Sequence, residues 1–288
     1  MNGDDIDREL AGLGRERERR LLRFKRIPLR FLVPNMITLL ALCSGVTAIR
    51  LGIEGRFEMA IGAVILAIVL DAMDGRLARL LKGQSRFGAE LDSLADFVNF
   101  GVAPAVLIYI WSLHELKNLG WIAALSLAIC CALRLARFNV ALDDPDKPAW
   151  AVNFFSGVPA PAGAGLAIAP MYLGFLGIVP DGEAAAPFIL PYVVAVAVAM
   201  VSRLPTYSGK GMGKVQRDMV LPILAGLVAT IVLLIAFTWE MLSILAAVYI
   251  GLMPMGYRSY RRHKAADAVA AAQKAAGEQA AGEKAGDI

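Results

Sequence analysis

Long apolar runs dominate this chain and decide what kind of fold it can adopt. Hydrophobic residues make up 58% of its 288 residues, charged residues only 19%, and the mean hydropathy is +0.59. A helix that crosses a bilayer needs about 20 mostly apolar residues, whereas an open sheet would leave its edge amides unpaired in lipid. We therefore expect an all-α, polytopic integral membrane helical bundle with about eight transmembrane helices. The predicted spans are 31–52, 57–75, 92–113, 119–138, 160–178, 187–203, 219–238 and 240–257.

The lysines and arginines predict how this bundle is oriented. Of the 29 basic residues, 26 fall on one side of the predicted spans, and the opposite side keeps only Arg50, Arg56 and Lys117. Short loops rich in Lys and Arg stay cytoplasmic. Both termini are therefore expected to be cytoplasmic, in a multi-pass protein of the cell (inner) membrane.

The chain divides into one membrane domain and two polar tails. Residues 31–258 form the predicted transmembrane domain, and residues 259–288 read as a flexible cytoplasmic tail rich in Ala, Lys, Glu and Gly. Residues 1–30 are basic and are either a helix on the anionic leaflet or a tail that only enforces topology. Because Glu16 and Glu18 intersperse the basic residues beside a span, a lipid surface is favoured and no nucleic-acid partner is expected.

Four aspartates lie between two apolar runs, in the stretch LDAMDGRLARLLKGQSRFGAELDSLADFVNFG. Asp71 and Asp74 are three residues apart and share one face of the second predicted helix. Asp92 and Asp96 are four residues apart and share one face of the third. A short connection makes these helices antiparallel neighbours. Both acidic pairs are therefore expected to converge near the cytoplasmic interface.

Four carboxylates at one point repel each other and need counter-charge. Oxygen ligands without His or Cys suit Mg²⁺, Mn²⁺ or Ca²⁺ rather than zinc, and such ions serve phosphate oxygens well. The alternative is that the aspartates pair with Arg76 and Arg79 at a solvated helix end. Two facing pairs favour the metal site.

Small and basic residues near the aspartates favour a ligand at the same place. Gly75 has no side chain, so a ligand can approach the helix backbone there. The small side chain of Ala78 leaves room on the same face in the next turn. Arg79 can offer a planar fork to phosphate. Gly88 stands one turn before the third aspartate and is either a second close-approach site or an ordinary helix-start glycine.

Written out, these positions form one pattern, Asp71-x2-Asp74-Gly75-x2-Ala78-Arg79-x8-Gly88-x3-Asp92-x3-Asp96. The pattern resembles the signature of the CDP-alcohol phosphotransferases. The resemblance implies that the first three aspartates bind metal and that Asp96 both binds metal and acts as general base. It also implies Mg²⁺ or Mn²⁺, as one or two ions, and contacts from Gly75, Arg79 and Ser85 to the CDP moiety.

Other stretches resemble the phosphatidylserine synthase branch of that family. They are PNMITLLALCSG at 34–45, LRLARFNV at 133–140, FSGVPAPAGAG at 155–165 and SRLPTYSGK at 202–210. The resemblance implies transfer of a phosphatidyl group from CDP-diacylglycerol to L-serine, giving phosphatidylserine and CMP. It further implies a homodimer among membrane lipids.

Serine brings a carboxylate, and several polar residues could recognise it or the lipid phosphate. The candidates are Arg134, Arg137, Asn139 and Lys210. Their alternative role is positive-inside charge that contacts headgroups. Asn35 and Thr38, at the start of the first span, either reach the nucleotide or make a cap or interhelical hydrogen bond.

Other functions remain open at this stage. Within the same chemistry, the acceptor could instead be glycerol 3-phosphate, inositol phosphate or choline. A membrane prenyltransferase also uses paired aspartate motifs but places them in separate halves of its chain. A divalent-cation transporter is a more remote alternative, because transporters favour polar residues at the midplane and broken helices in paired repeats.

Overall fold

The computed structural model describes residues 29–142, 154–180, 182–202, 205–207 and 219–255. This part of the chain is helical apart from one short ribbon. Its first helices are α1 (Leu29–Ile53), α2 (Phe57–Leu80), α3 (Arg86–Asp96), α4 (Ala103–Trp111) and α5 (Lys117–Leu142). They are followed by α6 (Ala160–Ala167), α7 (Ala169–Phe175), α8 (Gly182–Val201), α9 (Val220–Ala236) and α10 (Thr238–Met255). The ribbon pairs β1 (Phe154–Ser156) with β2 (Pro205–Tyr207) in antiparallel fashion.

Five helical stretches within the described residues are long and apolar enough to cross a membrane. They are Arg30–Ile53, Arg86–Trp111, Leu113–Ala141, Gly182–Val201 and Thr238–Met255. Three further helical segments occupy the other positions where spans were expected: α2, the α6–α7 pair and α9. The membrane character of the helical chain is therefore clear, while the count of eight and the side on which the termini lie stay predictions.

Three expected spans depart from a long, uniformly apolar helix for identifiable reasons. The C-terminal half of α2 carries two aspartates and two arginines, which lower its apolar character. The expected span 160–178 is broken at Ile168, because Pro170 in the first turn of α7 has no N–H to continue the preceding helix. The α9 helix has only 17 residues.

The first two helices form an antiparallel hairpin, and α3 follows after a second tight turn. Gly55, with φ of 75°, ends the first helix in the left-handed region that glycine adopts most readily. The Ser85 hydroxyl caps α3 by accepting a hydrogen bond from the Gly88 N–H at 3.0 Å. Because of this cap, the helix begins at Arg86, before the first residue of the expected span 92–113. Asp92 lies inside this helix, and Asp96 is its last residue.

A π-helical turn, Phe97–Val102, follows Asp96 directly and joins α3 to α4 in one continuous helical rod. The turn lies against α5 at Gly101, where an added Cβ would meet the Cys131 Cβ at 3.0 Å. Against α1, Gly45 similarly leaves room for Asn99. Small residues on the flanking helices therefore allow the turn to pack in the centre of the bundle.

The core forms between this rod and the helices around it. Its largest fully buried side chains include Ile61, Phe100, Leu107, Leu127, Ile168 and Met171. In contrast, α9 has no buried residue within the described part of the chain. The packed bundle therefore comprises mainly α1 to α8, and the motif-bearing helices α1, α2 and α3 meet at one end.

Candidate active site

The structure brings the four aspartates of α2 and α3 together. One carboxylate oxygen from each of Asp71, Asp74 and Asp92 lies within 4.8 Å of the others. Asp96 lies within hydrogen-bonding reach of Asp71. The antiparallel arrangement of two helices bearing i,i+3 and i,i+4 pairs produces this convergence. Four acids from two helices therefore share one site.

A hydrogen bond from α1 holds the second aspartate in place. Asp74 is only 3% exposed, and the Thr38 hydroxyl donates to its Oδ2 at 2.6 Å. The same hydroxyl lies 3.2 Å from the Pro34 carbonyl. Thr38 thus makes the interhelical hydrogen bond that was one of its two expected roles, and it fixes α1 to α2 beside the acidic site.

A polar cavity of about 470 Å³ opens beside the aspartates. All seven residues expected to contact the CDP-linked donor line it: Asn35, Thr38, Gly75, Ala78, Arg79, Ser85 and Gly88. Two of the aspartates, Asp74 and Asp92, also line it. Residues from three helices and one loop therefore combine into a single groove next to the acidic site.

The groove leaves room and hydrogen-bonding capacity for a ligand. Gly75 is exposed, and a Cβ added there would meet no atom of the described chain within 4 Å. The Arg79 Nε donates to the Gly75 carbonyl at 3.0 Å. The other guanidinium N–H groups make no hydrogen bond to the described residues. An Arg–phosphate fork is therefore available at the rim of this cavity.

Several lining residues were not found from the sequence. They are Pro34, Gly83, Gln84 and Ala89. Gly83 packs against the Arg30 carbonyl, so any side chain at that position would collide with the α1 backbone. That carbonyl is open to this contact because Pro34, four residues on, has no N–H to bond it. Pro34 was therefore the sequence feature that could have indicated this contact.

The donor set fits a hard divalent cation. Three carboxylates lie within 4.8 Å of one another, and the enclosed Asp96 Oδ1 has no hydrogen-bond partner among the described residues. Like charges held this close need a counter-ion, and an all-oxygen set suits Mg²⁺ or Mn²⁺. The acidic cluster can therefore hold a metal ion, with Asp71, Asp74, Asp92 and Asp96 as its candidate ligands.

The expected acceptor residues have different environments. Arg134 is 7% exposed and its Nε is enclosed and unpaired within the described part of the chain. Arg137 donates to the carbonyls of Val201 at 2.7 Å and Ser202 at 2.9 Å, which joins α5 to the end of α8.

Two further acceptor candidates complete the set. The Asn139 Nδ2 donates to the Ser93 Oγ at 2.9 Å, between the two aspartates of α3. Lys210 lies outside the described residues, as do most of the N-terminal segment and the C-terminal tail. Of the three candidates that the structure describes, Arg134 therefore has the least-used hydrogen-bonding capacity.

Comparison with known proteins agrees with this geometry. Residues 31–202 match the family model described as CDP-alcohol phosphatidyltransferase. Residues 218–254 match a second model, CDP-alcohol phosphatidyltransferase 2. The first match alone covers more than half of the chain and includes all the cavity-lining residues named above.

Curated relatives carry related names. The chain is 42% identical over 174 residues to a CDP-diacylglycerol–serine O-phosphatidyltransferase of Mycobacterium leprae, covering 60% of this chain and 57% of that protein. A Helicobacter pylori protein of the same name is 34% identical, with 60% and 71% covered. The archaetidylserine synthase of Methanothermobacter thermautotrophicus is 33% identical, with 63% and 72% covered.

The chain spans just over half the length of the first of these relatives. The family model covers residues 31–202, and two relatives above 30% identity are covered over more than two thirds of their length. The chain belongs to the CDP-alcohol phosphatidyltransferase family.

Proposed function

We propose that this protein transfers a phosphatidyl group from CDP-diacylglycerol to L-serine, giving phosphatidylserine and CMP. The observation that carries the proposal is the single cavity in which all seven expected donor-binding residues meet two of the four aspartates. The names of the relatives support serine as the acceptor. The geometry of the site therefore supports the reaction class.

Each part of the site has a role in this proposal. Asn35, Thr38, Gly75, Ala78, Arg79, Ser85 and Gly88 bind the CDP end of the donor. Arg134, Arg137, Asn139 and Lys210 surround the acceptor, with Arg137 also fixing the end of α8 through its two carbonyl contacts. Asp71, Asp74, Asp92 and Asp96 hold Mg²⁺ or Mn²⁺. A bound ion would offset the charge of the diphosphate and of the leaving phosphate.

The chemistry is a direct displacement at the lipid-side phosphorus. Asp96 accepts the proton of the serine hydroxyl, and the serine oxygen forms a new bond to that phosphorus. The bond from phosphorus to the bridging oxygen breaks, and CMP leaves with the electron pair. Asp96 suits the base role because one of its oxygens is in contact with Asp71 while Oδ1 has no partner within the described residues.

The membrane setting follows from the substrates. The acyl chains of the donor stay in lipid while its nucleotide and the serine come from water, so the site belongs at the cytoplasmic interface of the cell (inner) membrane. This arrangement includes eight spans in a domain at residues 31–258, cytoplasmic tails at 1–30 and 259–288, and a homodimer. These features remain parts of the proposal.

The test is CMP release by purified protein with each acceptor supplied alone. L-Serine, glycerol 3-phosphate, inositol phosphate and choline are compared at saturating CDP-diacylglycerol and Mn²⁺. We expect release with serine only, and a fall of about 100-fold or more in Asp96→Asn, since a general base contributes about 10²–10⁴ in rate. Glu90→Gln, which removes an exposed carboxylate from the same helix, should keep normal activity.

Three results would contradict the proposal. Release with another alcohol instead of serine would move the protein to a different acceptor, and normal turnover by a folded Asp96→Asn variant would remove the base. Metal flux in proteoliposomes without lipid turnover would indicate a divalent-cation transporter.

A further inference from the structure

Asn99 is a buried polar residue for which the reaction described above has no role. It lies in the π-helical turn, three residues after Asp96, and is only 1% exposed. Its amide oxygen and amide nitrogen are both enclosed and have no hydrogen-bond partner among the described residues. Buried amides are nearly always paired, so an unpaired one indicates a functional partner. Single π-turns inside helices also occur often at functional sites.

Arg134 reaches the same level of the bundle from α5. Two contacts between the neighbouring helices bracket it: Asn139 bonds to Ser93 on one side, and Cys131 packs against Gly101 on the other. On the rod formed by α3 and the π-turn, Asp96 and Asn99 lie between Ser93 and Gly101. On α5, Arg134 lies between Cys131 and Asn139. Arg134 is also close enough to Asp96 for an electrostatic interaction.

The burial of the charged Arg134 side chain is energetically costly. It is 7% exposed, and it forms no ion pair within 4.0 Å with any described residue. A guanidinium at this depth is expensive unless an anion pairs with it. At this level of the bundle, Arg134 can therefore pair with an anion, Asn99 can accept from a hydrogen-bond donor, and Asp96 can accept a proton.

We propose that Asn99 is a specificity-determining residue that recognises the ammonium group of an amino-acid acceptor, through its amide oxygen. The inference rests on the proposed function and deepens it. Arg134 takes the acceptor carboxylate, Asn99 the ammonium and Asp96 the hydroxyl proton. Glycerol 3-phosphate and inositol phosphate have no ammonium group, and choline has no anion, so only an amino acid with a hydroxyl group satisfies all three.

The Asn99 amide packs closely against α1. Gly45 of α1 leaves the space that the Asn99 side chain occupies, because a Cβ at position 45 would collide with the Asn99 amide. The polar atoms of this level are enclosed by protein. The neighbouring Ser44, in contrast, donates to the Ala63 carbonyl at 2.8 Å and is fully used within the fold.

The test separates loss of ammonium recognition from structural damage. Asn99→Leu keeps nearly the same shape and removes both amide hydrogen bonds. The KM for L-serine is measured together with the inhibition constant of 3-hydroxypropionate, which has the carboxylate and hydroxyl of serine but no ammonium. We expect the serine KM to rise about tenfold or more, the size of a lost hydrogen bond to a charged group. The inhibition constant should change less than about twofold.

Ser44→Ala is the matched control, a buried polar side chain from the adjoining helix, and should leave both constants unchanged. The KM for CDP-diacylglycerol should be normal in both variants. An unchanged serine KM in Asn99→Leu, or an equal rise in both constants, would overturn the role of Asn99 while leaving the proposed function intact. Wild-type protein that turns over a different acceptor, or none, would overturn both.

Discussion

Two cavities of similar size lie at opposite ends of this bundle and differ in the polarity of the side chains that line them. The groove beside the aspartates has a volume of about 470 Å³, and a cavity between α7, α8 and α10 has about 500 Å³. The second is lined by apolar side chains such as Leu173, Ile178, Phe188 and Ile250. The α8 helix connects the two ends, since it begins at the apolar cavity and its last carbonyls accept from Arg137.

The difference shows that volume alone does not identify the site in a membrane protein. An apolar cavity that faces lipid can be filled by any hydrocarbon chain and needs no chemistry of its own. The polar groove gathers an arginine, a threonine, an asparagine and two aspartates where unpaired polar groups are costly. Because placing these polar groups there costs free energy, their presence indicates function. The following variants test whether the polar groove, and not the apolar cavity, is the functional site.

The largest effect is expected from removing the hydrogen bond that orients Asp74. Thr38→Val keeps the shape of the side chain but removes the hydroxyl that donates to Asp74 Oδ2 at 2.6 Å. Partners that orient a metal ligand are worth about 10- to 100-fold in affinity or activity. We expect kcat/KM to fall at least about tenfold and the Mn²⁺ concentration for half-maximal activity to rise. Steady-state kinetics at varied Mn²⁺ measures both quantities. An unchanged Mn²⁺ dependence would show that the Thr38 hydroxyl on α1 does not orient a metal ligand.

A smaller effect is expected from adding one methyl group to the polar groove. Gly75→Ala meets no protein atom within 4 Å, so the added Cβ occupies only the space assigned to the donor. We expect a rise of about tenfold in the KM for CDP-diacylglycerol, with a melting temperature no lower than that of the wild type.

Gly62→Ala provides the matched control, because Gly62 lies in the same helix and is equally free of neighbours within 4 Å. It stands 13 residues away, about 20 Å along the helix axis. Its KM should equal that of the wild type. Equal donor KM values for the two alanine variants would show that the groove does not bind the donor.

The smallest effect is expected at the apolar cavity. Ala247→Leu fills part of that cavity with hydrocarbon at an exposed position of α10. We expect kcat/KM with serine to stay within about twofold of wild type, as for substitutions remote from special features. A loss as large as that of Gly75→Ala would mean that the two cavities are coupled or that both belong to the site.

The expected groove residues of α2, of α3 and of the turn between them could be grouped from the sequence because they are local in the chain. The spacing of the aspartates on two consecutive helices determines which faces they occupy, and the short turn between those helices leaves little choice of partner. The positions near Gly75 and Gly88 lie within one helical turn of an aspartate. The family membership predicted from the same pattern is confirmed by the match over residues 31–202.

Features that depend on packing between distant segments could not be predicted in this way. The π-turn after Asp96 and the enclosed amide of Asn99 arise where α1 and α5 press on the same rod, and no local pattern marks them. Arg137 was expected at the acceptor, but only the fold reveals that α8 ends beside it and takes its hydrogen bonds. The break at Ile168 arises because a single residue, Pro170, has no N–H to continue the preceding helix through this long apolar run.

The most direct test of the central claim is Mn²⁺ binding, followed by electron paramagnetic resonance on the purified protein without substrates. The account predicts saturable binding to the wild type and its loss in the Asp74→Asn, Asp92→Asn double variant, which removes two carboxylates of the cluster. Gly62→Ala protein, prepared in parallel, should bind like the wild type. Equal Mn²⁺ affinity in the wild type and a folded double variant would contradict the claim that these aspartates gather around metal.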